Sequence, residues 1–479
     1  MKKFYFKIFI FILLTTGFAY GTKLLLENEV LLKSYVKKII PYDFTNELGK
    51  FLLPYREIDK LEKENYFLKK LVEYGVENDI RIKNSLVNID FLRKSSELSV
   101  SGRRIEFDKY SPNKKIIMRG IYNKIPGSAY LEKNKNNIFL LSSTGILGYS
   151  NYNSTKLSFK QIKNNINDYI GEEQFLKSQK FAVRDILIFD NKIFVSFTNE
   201  IKEDCWNTSL IFSNLNYNNI NFKPLFIPDE CVSSTDNKDK VFEALQVGGR
   251  IVGFENEQIL LTTGEFRSRF RAQDKNSTMG KIIKINYKSN NYEIVAMGTR
   301  NAQGLYFDQE NKLLLSTEHG PEGGDEINLI SSENLTNNEV KNLGWAISSY
   351  GEHYLKEHYR LPGWRKEVHD PYIKYPLYKS HEKYGFIEPI KYYTPSIGIS
   401  EIIGIDPKNK IYAHASLVDQ SLYLFKLNNE NRMIKSIRIN IGERIRDIIK
   451  YNNKIILFLE ETASLGMIDI NQIYSLINK

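Results

Sequence analysis

The sequence predicts an all-β chain, a six-bladed β-propeller with an N-terminal helical extension, and three observations predict it. After about Pro112 the chain turns into short β-prone runs separated by turns. Within that region a turn headed by asparagine and followed by a nearly continuous apolar strand recurs six times: Asn136 to Leu141, Asn191 to Val195, Asn256 to Leu261, Asn311 to Leu315, Asn409 to Ala413 and Asn453 to Leu457. Strands apolar at almost every position are buried on both faces, and an asparagine turn suits a hairpin. Each repeat is long enough for several strands, which is the signature of radial repetition in a propeller. The widest gap, Asn311 to Asn409, holds an aromatic, proline-bearing insertion from Tyr350 to Tyr393. Long insertions between blades form the rim of a central pocket.

Taken in order, the chain opens with Met1-Lys2-Lys3 and an apolar run from Phe4 to Tyr20 in which Lys7 is the one charge. That layout reads as a signal peptide, with Ala19-Tyr20-Gly21 as its cleavage site, or as an uncleaved membrane anchor over 1–21. In both cases the body is expected to be exported, periplasmic or anchored outside the cytoplasm. Residues 22–111 read as a helical extension, helical from Lys23 to about Arg93 with breaks at Pro41 and Pro54. Ile58, Leu61, Asn65, Leu68 and Val72 make a short heptad seam, so homodimerisation through this helix stands beside a helix laid on the main domain. The propeller is expected over 112–476.

The formal net charge of +10 comes from 67 basic and 57 acidic residues, with lysines dispersed along the chain. That is a solvated basic surface, and no groove-entering motif accompanies it, which sets nucleic acid aside as a partner. Cys205 and Cys231 bracket a candidate hairpin, and two cysteines in an exported chain predict one disulfide.

The densest cluster of chemistry-bearing residues runs from Arg300 to Trp345. It holds Arg300-Asn301-Ala302-Gln303-Gly304, then Glu318-His319-Gly320-Pro321-Glu322-Gly323-Gly324-Asp325-Glu326, then Asn342-Leu343-Gly344-Trp345. A Gly-Pro pair among carboxylates turns backbone carbonyls outward, and such oxygens suit a hard cation. Further on, Arg444 and Arg446 stand two apart on a strand, on one face, where they can form paired hydrogen bonds with an anion.

These motifs, R-N-x-Q-G, E-H-G-P-x-G-G-D-E-x-N and a variant of N-Y-G-W, resemble the glucose/sorbosone dehydrogenase family. Its members are soluble six-bladed sugar dehydrogenases that use pyrroloquinoline quinone (PQQ). The resemblance implies oxidation of an aldose by hydride transfer to a calcium-bound quinone, with PQQ and calcium as cofactors and a small sugar or glycan as partner. It implies cofactor contacts at Arg300, Asn301, His319, Arg444 and Arg446. Gly320 and Pro321 are then carbonyl ligands to the cofactor calcium, and Glu326 a ligand of a further, structural calcium.

The family's base histidine, in H-x-G-G-R, falls on Gln246 of Gln246-Val247-Gly248-Gly249-Arg250. Glutamine cannot accept a proton at useful pH, whereas the reaction wants a group titrating near neutrality. Asp185 and Asp274 are the substitute bases considered. Val418 stands where the family often has a lysine, and Ala346 replaces the proline after Trp345. The alternative is a non-catalytic propeller that binds a glycan or a protein; a hydrolase has no G-x-S-x-G elbow or paired acid motif to support it.

Overall fold

Every asparagine-headed turn joins the first two strands of a four-stranded antiparallel blade. The computed structural model describes residues 88–478 except 101, 113–126, 153–155, 172–173, 175–179, 240, 337–338 and 355–370. The first strands of the six blades are Ala129–Asn134, Val183–Phe189, Gly248–Gly253, Ala302–Asp308, Ile399–Asp406 and Ile445–Tyr451, and they neighbour one another in a closed ring. A residue with positive φ stands in each of the six turns: Lys135, Asn191, Asn256, Lys312, Lys410 and Asn452. Tight hairpins whose twist matches their strands require this. The second strands are buried almost throughout, as in Asn137–Ser142 and Lys454–Leu459. Adjacent blades sandwich them: Leu187, Phe194 and Leu210 of the second blade pack against Ile251, Leu261 and Ile283 of the third.

The ring closes with chain from its N-terminal side. Arg103–Pro112 is the outermost strand of the sixth blade, pairing Asp108 with Met467 and Tyr110 with Leu465. Asn88–Val100 lies antiparallel to it, and its first residues pair with the outer strand of the first blade, Ile89 opposite Phe159. Blades six and one thereby merge into a nine-stranded sheet. The expected helical extension over 22–111 is corrected here: from Asn88 onward the chain is strand and belongs to the propeller. Ile89 and Phe91 alternate as a half-buried strand should, but Leu92 to Glu97 are exposed on both faces. A segment without a buried face carries no period to read. The signal or anchor over 1–21 and the heptad seam lie outside the described residues. Among those described, no helix is long and apolar enough to cross a membrane.

All of these strands lie in one compact unit, Val76–His353 with Tyr375–Lys479. The other, Met1–Gly75 with Tyr354–Lys374, contributes the short helix Pro371–Lys374 as its described regular structure. The predicted disulfide is present, Cys205 to Cys231, with Cα atoms 5.1 Å apart. It joins a strand of the second blade to the segment beyond it, where Trp206 and Val232 form an isolated bridge.

The channel is filled by a charged layer two residues into the first strands. Arg250, 2% exposed, donates from Nη1 to Asp447 Oδ1 at 2.8 Å and to Asp185 Oδ1 at 3.2 Å. The same nitrogen pairs with Glu401 Oε2 at 2.7 Å. Its Nε donates to the Gln303 carbonyl at 2.7 Å and Nη2 to the Arg446 carbonyl at 3.0 Å, and the guanidinium lies 5.1 Å from the Tyr130 ring centre. Three carboxyls face one cation, so burial drives all three upward against the pull of Arg250, Asp185 to about 7.

Replacing Arg250 by methionine strands three buried carboxyls, and urea denaturation is expected to show a loss of about 3–5 kcal/mol. A carboxyl whose folded pKa exceeds its unfolded value keeps its proton in the native state after the unfolded chain has lost it. Stability then falls as pH rises through that interval. For Asp185 the interval runs from the ordinary aspartate value of 3.8 to about 7. Melting temperatures across this range should therefore decline less steeply in Asp185→Asn than in the wild type.

Candidate functional site

The residues singled out from the sequence collect on one rim of the ring, where first strands begin and second strands end. Gln246 precedes the first strand of the third blade, Arg300 and Asn301 that of the fourth, and Arg444 and Arg446 flank the start of that of the sixth. Glu318 ends the second strand of the fourth blade, opposite Ala302, and leads into the His319–Gly324 loop. Asp325 ties this loop across to the fifth blade: Oδ1 accepts from the Gly320 N–H and Oδ2 from the Ile399 N–H, each at 3.0 Å. The Gly248-Gly249 turn needs glycine, because Gly249 has φ of 104° and a Cβ there would lie 2.4 Å from the Arg184 Cβ. The Arg250 layer forms the floor beneath this rim.

At the position of the family's base, Gln246 is buried between an acid and a base of opposite charge. Its side-chain oxygen accepts from Arg300 Nη2 at 2.7 Å and its nitrogen donates to Glu265 Oε1 at 2.6 Å. The orientation is dictated by Arg300, since a guanidinium has only donors to offer. Glu265 is fully buried, and burial, opposed by Arg269, Arg300 and Arg267, pushes its carboxyl up to about 7. Glu265 was not singled out from the sequence, where it stands after Gly264 outside every quoted motif. The two substitute bases considered go elsewhere. Asp185 is held by Arg250, and Asp274 is exposed, accepting from the Asn276 N–H at 2.9 Å.

Arg300 joins Gln246 to the Gly-Pro loop. Its Nη1 donates to the carbonyls of His319 at 2.8 Å and Gly320 at 2.7 Å, while the guanidinium lies 5.4 Å from the Trp345 ring centre. Asn301 turns inward, accepting on Oδ1 from the Gly248 N–H at 3.1 Å and from Gln303 Nε2 at 2.9 Å. Glu318 Oε1 accepts the backbone N–H groups of Arg300 and Asn301, and burial pushes this carboxyl up to about 8. His319 is pushed down to about 4 by burial, against the pull of Asp325 and with Arg300 and Arg446 adding to it, so its imidazole is neutral at physiological pH.

Two of the three groups assigned to calcium face protein cations. Gly320 offers its carbonyl to Arg300, Pro321 is buried beside it, and Glu326 Oε1 lies 3.2 Å from His381 Nε2. His381 comes from the insertion, stacks on Tyr350, and fits only because residue 344 is glycine: a Cβ there would lie 2.4 Å from His381 Nδ1. Burial lowers its pKa, but Glu326 and Glu388 more than reverse this, so it ends above the ordinary histidine value. A carboxylate already paired with an imidazole does not fit a calcium ligand, and no cluster of three or more His, Cys, Asp or Glu among the described residues could hold a metal ion. Arg300, Glu318, His319, Glu326, Trp345 and His381 together line a cavity of about 10 Å³, room for one water-sized species and not for a quinone.

On the sixth blade the two arginines share one buried carboxylate. Glu460 accepts from Arg444 Nε at 3.0 Å and from Arg446 Nη2 at 2.9 Å, and despite burial these two cations hold its carboxyl below the usual range. Their neighbours in sequence pair elsewhere, Glu443 with Lys109 and Asp447 with Arg250. On the sixth-blade side of the rim, Arg444 and Arg446 against the one carboxylate of Glu460 leave one positive charge in excess, which fits an anionic ligand. Val418, where the family often has lysine, is 65% exposed and adds no charge. Elsewhere, an open cavity of about 510 Å³ lies by the disulfide, lined by Phe181, Trp206 and Phe242 with Glu200, Glu203 and Glu243.

The fold and this rim together define a six-bladed propeller with a cationic site at one mouth of its channel. The family model for glucose/sorbosone dehydrogenase matches residues 189–468, and the chain belongs to that family. It is 25% identical over 222 residues to the aldose sugar dehydrogenase YliI of Escherichia coli, covering 42% of this chain and 53% of that protein. It is 26% identical over 230 residues to the uncharacterized protein slr1608 of Synechocystis sp., covering 42% and 50%. The match thus spans about half the length of these curated relatives. A crystal structure of glucose dehydrogenase superposes with a TM-score of 0.54 at 18% identity, covering 71% of this chain and 95% of that one. The PQQ-bound aldose sugar dehydrogenase of Streptomyces coelicolor does so with 0.50 at 15%, covering 71% and 93%. At such identities the superpositions show the shared fold.

If His381 supplies the charge that Glu326 needs, thermal unfolding of the wild type is expected to be the same with and without EDTA. His381→Ala should lose about 1–3 kcal/mol by leaving a buried carboxylate unpaired.

Proposed function

We propose that this chain is an exported, PQQ-dependent sugar dehydrogenase of the aldose type. The carrying observation is the pair Arg444 and Arg446, which share the one carboxylate of Glu460 on the sixth blade and leave a positive charge in excess at the rim. PQQ, when bound, supplies an ortho-quinone that accepts hydride and three carboxylates that need cations. Arg446 spends Nε and Nη2 on Glu460, and with Arg444 it would hold carboxylates at the sixth blade. Arg300, tied to the loop carbonyls and Gln246 beside a cavity too small for a quinone, would contribute charge to the site and no direct contact. His319, kept neutral, offers Nε2, a buried atom with no hydrogen-bond partner among the described residues. Calcium enters no step here, because Glu326 and the Gly320 carbonyl are engaged by His381 and Arg300. Export is supported by the disulfide, which forms and persists in oxidising compartments.

Turnover depends on what replaces the family's imidazole, since loss of a general base costs about 100- to 10,000-fold in rate. The rival reading, a propeller that binds a glycan without catalysis, is favoured by the aromatic and acidic cavity beside the disulfide. Calorimetric titration of PQQ into the full chain, with a dye-reduction assay on a panel of aldoses, separates them. Binding with turnover is expected. Binding without turnover would leave a cofactor-binding relic, and no binding with glycan affinity would favour the rival.

A further inference from the structure

On the fourth blade two buried carboxylates stand opposite each other. Glu318 ends the second strand, Leu313–Glu318, directly across from Glu326 of the third, Asp325–Ser331. Glu318 gives Oε1 to the backbone N–H groups of Arg300 and Asn301, while its Oε2 is buried with no hydrogen-bond partner among the described residues. Ser348 Oγ, on the same cavity, has none either. Two acids and a hydroxyl around one small hole are the oxygen-rich surroundings that a divalent cation takes. Here a side chain arrives instead: His381 places Nε2 3.2 Å from Glu326 Oε1.

We propose that His381 does the work of a divalent cation at Glu326, fastening segment 375–393 to the fourth blade without metal, and that removing its ring turns the place into a calcium site. The fastening is a closed circuit. Glu388 accepts the His381 N–H at 2.9 Å and the Tyr350 hydroxyl. Tyr350 stacks on His381 with ring centres 5.6 Å apart and on Tyr392 at 3.8 Å, and Tyr392 pairs in register with Glu326. Ring and ion exclude each other. Calcium takes about six to eight oxygens at roughly 2.3–2.6 Å, whereas with the imidazole in place the cavity of about 10 Å³ holds one water-sized species. The Gly320 carbonyl on this cavity is already taken by Arg300.

Metal binding is read without quinone or sugar, so a failure of the dehydrogenase reading leaves the test standing. Full-length wild type, Glu326→Gln, His381→Asn and His381→Asn/Glu326→Gln are stripped with EDTA and titrated with terbium, whose luminescence is excited through Trp345 on the same cavity, and then with calcium in competition. Asparagine vacates the ring and offers an oxygen in its place. His381→Asn should bind calcium with a Kd of about 0.1–1 mM, and its melting temperature should rise when calcium is added. Wild type should show no luminescence that calcium displaces, and the double variant should lose what the single variant gained. Calcium-displaceable luminescence in the wild type that Glu326→Gln abolishes overturns the proposal, as does a folded His381→Asn that binds no calcium. Should His381→Asn fold poorly, recovery of soluble protein on refolding with calcium supports the proposal, and no recovery overturns it.

Discussion

The guanidinium of Arg250 touches every blade but its own: Tyr130 of the first, Asp185 of the second, the Gln303 carbonyl of the fourth, Glu401 of the fifth, and Asp447 with the Arg446 carbonyl of the sixth. The first strands of adjacent blades have no ladder hydrogen bonds between them. Side chains in the channel must therefore supply the polar cohesion, and a planar five-donor fork is the side chain suited to several acceptors at once. The same arginine ends the Gln246–Arg250 turn. The register that lets it reach the channel also sets Gln246 and the two glycines on the rim above.

That coupling explains why the rim is arranged as a relay of charge. Arg300 reaches the His319 and Gly320 carbonyls on one side and Gln246 on the other, and Gln246 passes on to Glu265. Across the channel mouth Glu460 holds Arg444 and Arg446 as a pair. Each cation is tethered by at least one protein acceptor, which fixes its position before any ligand arrives, and a preorganised site binds with less loss of side-chain freedom.

The blades were legible because their signal is local. Asn191-Lys192 or Asn453-Lys454 followed by an apolar strand can be read within six residues. The motif residues were legible for the same reason, and the rim location follows from their places at strand ends. Their partners were not, because pairing is a property of the closed ring. Glu460 follows the second strand of the sixth blade while Arg444 precedes the first, Glu265 lies on a different loop from Gln246, and His381 arrives from an insertion whose path the sequence does not encode in any period. Asn88–Val100 and Arg103–Pro112 were missed for a third reason: they are half-exposed strands dense in charge, and their strand character comes from the partners they meet.

The way the ring closes has a consequence for how the protein is made. Asp108 and Tyr110 find their partners at Met467 and Leu465, so the strand synthesised early waits for the blade synthesised last. Until then two sheet edges stand open, one at each side of the gap, and open edges recruit other chains. Closure over so long a loop is slow. The charged, two-sided surface of Arg93 to Glu97 suits a segment that must remain dissolved and unattached during that delay. Ring closure is thus a completion signal, given only to a chain whose final blade has been made.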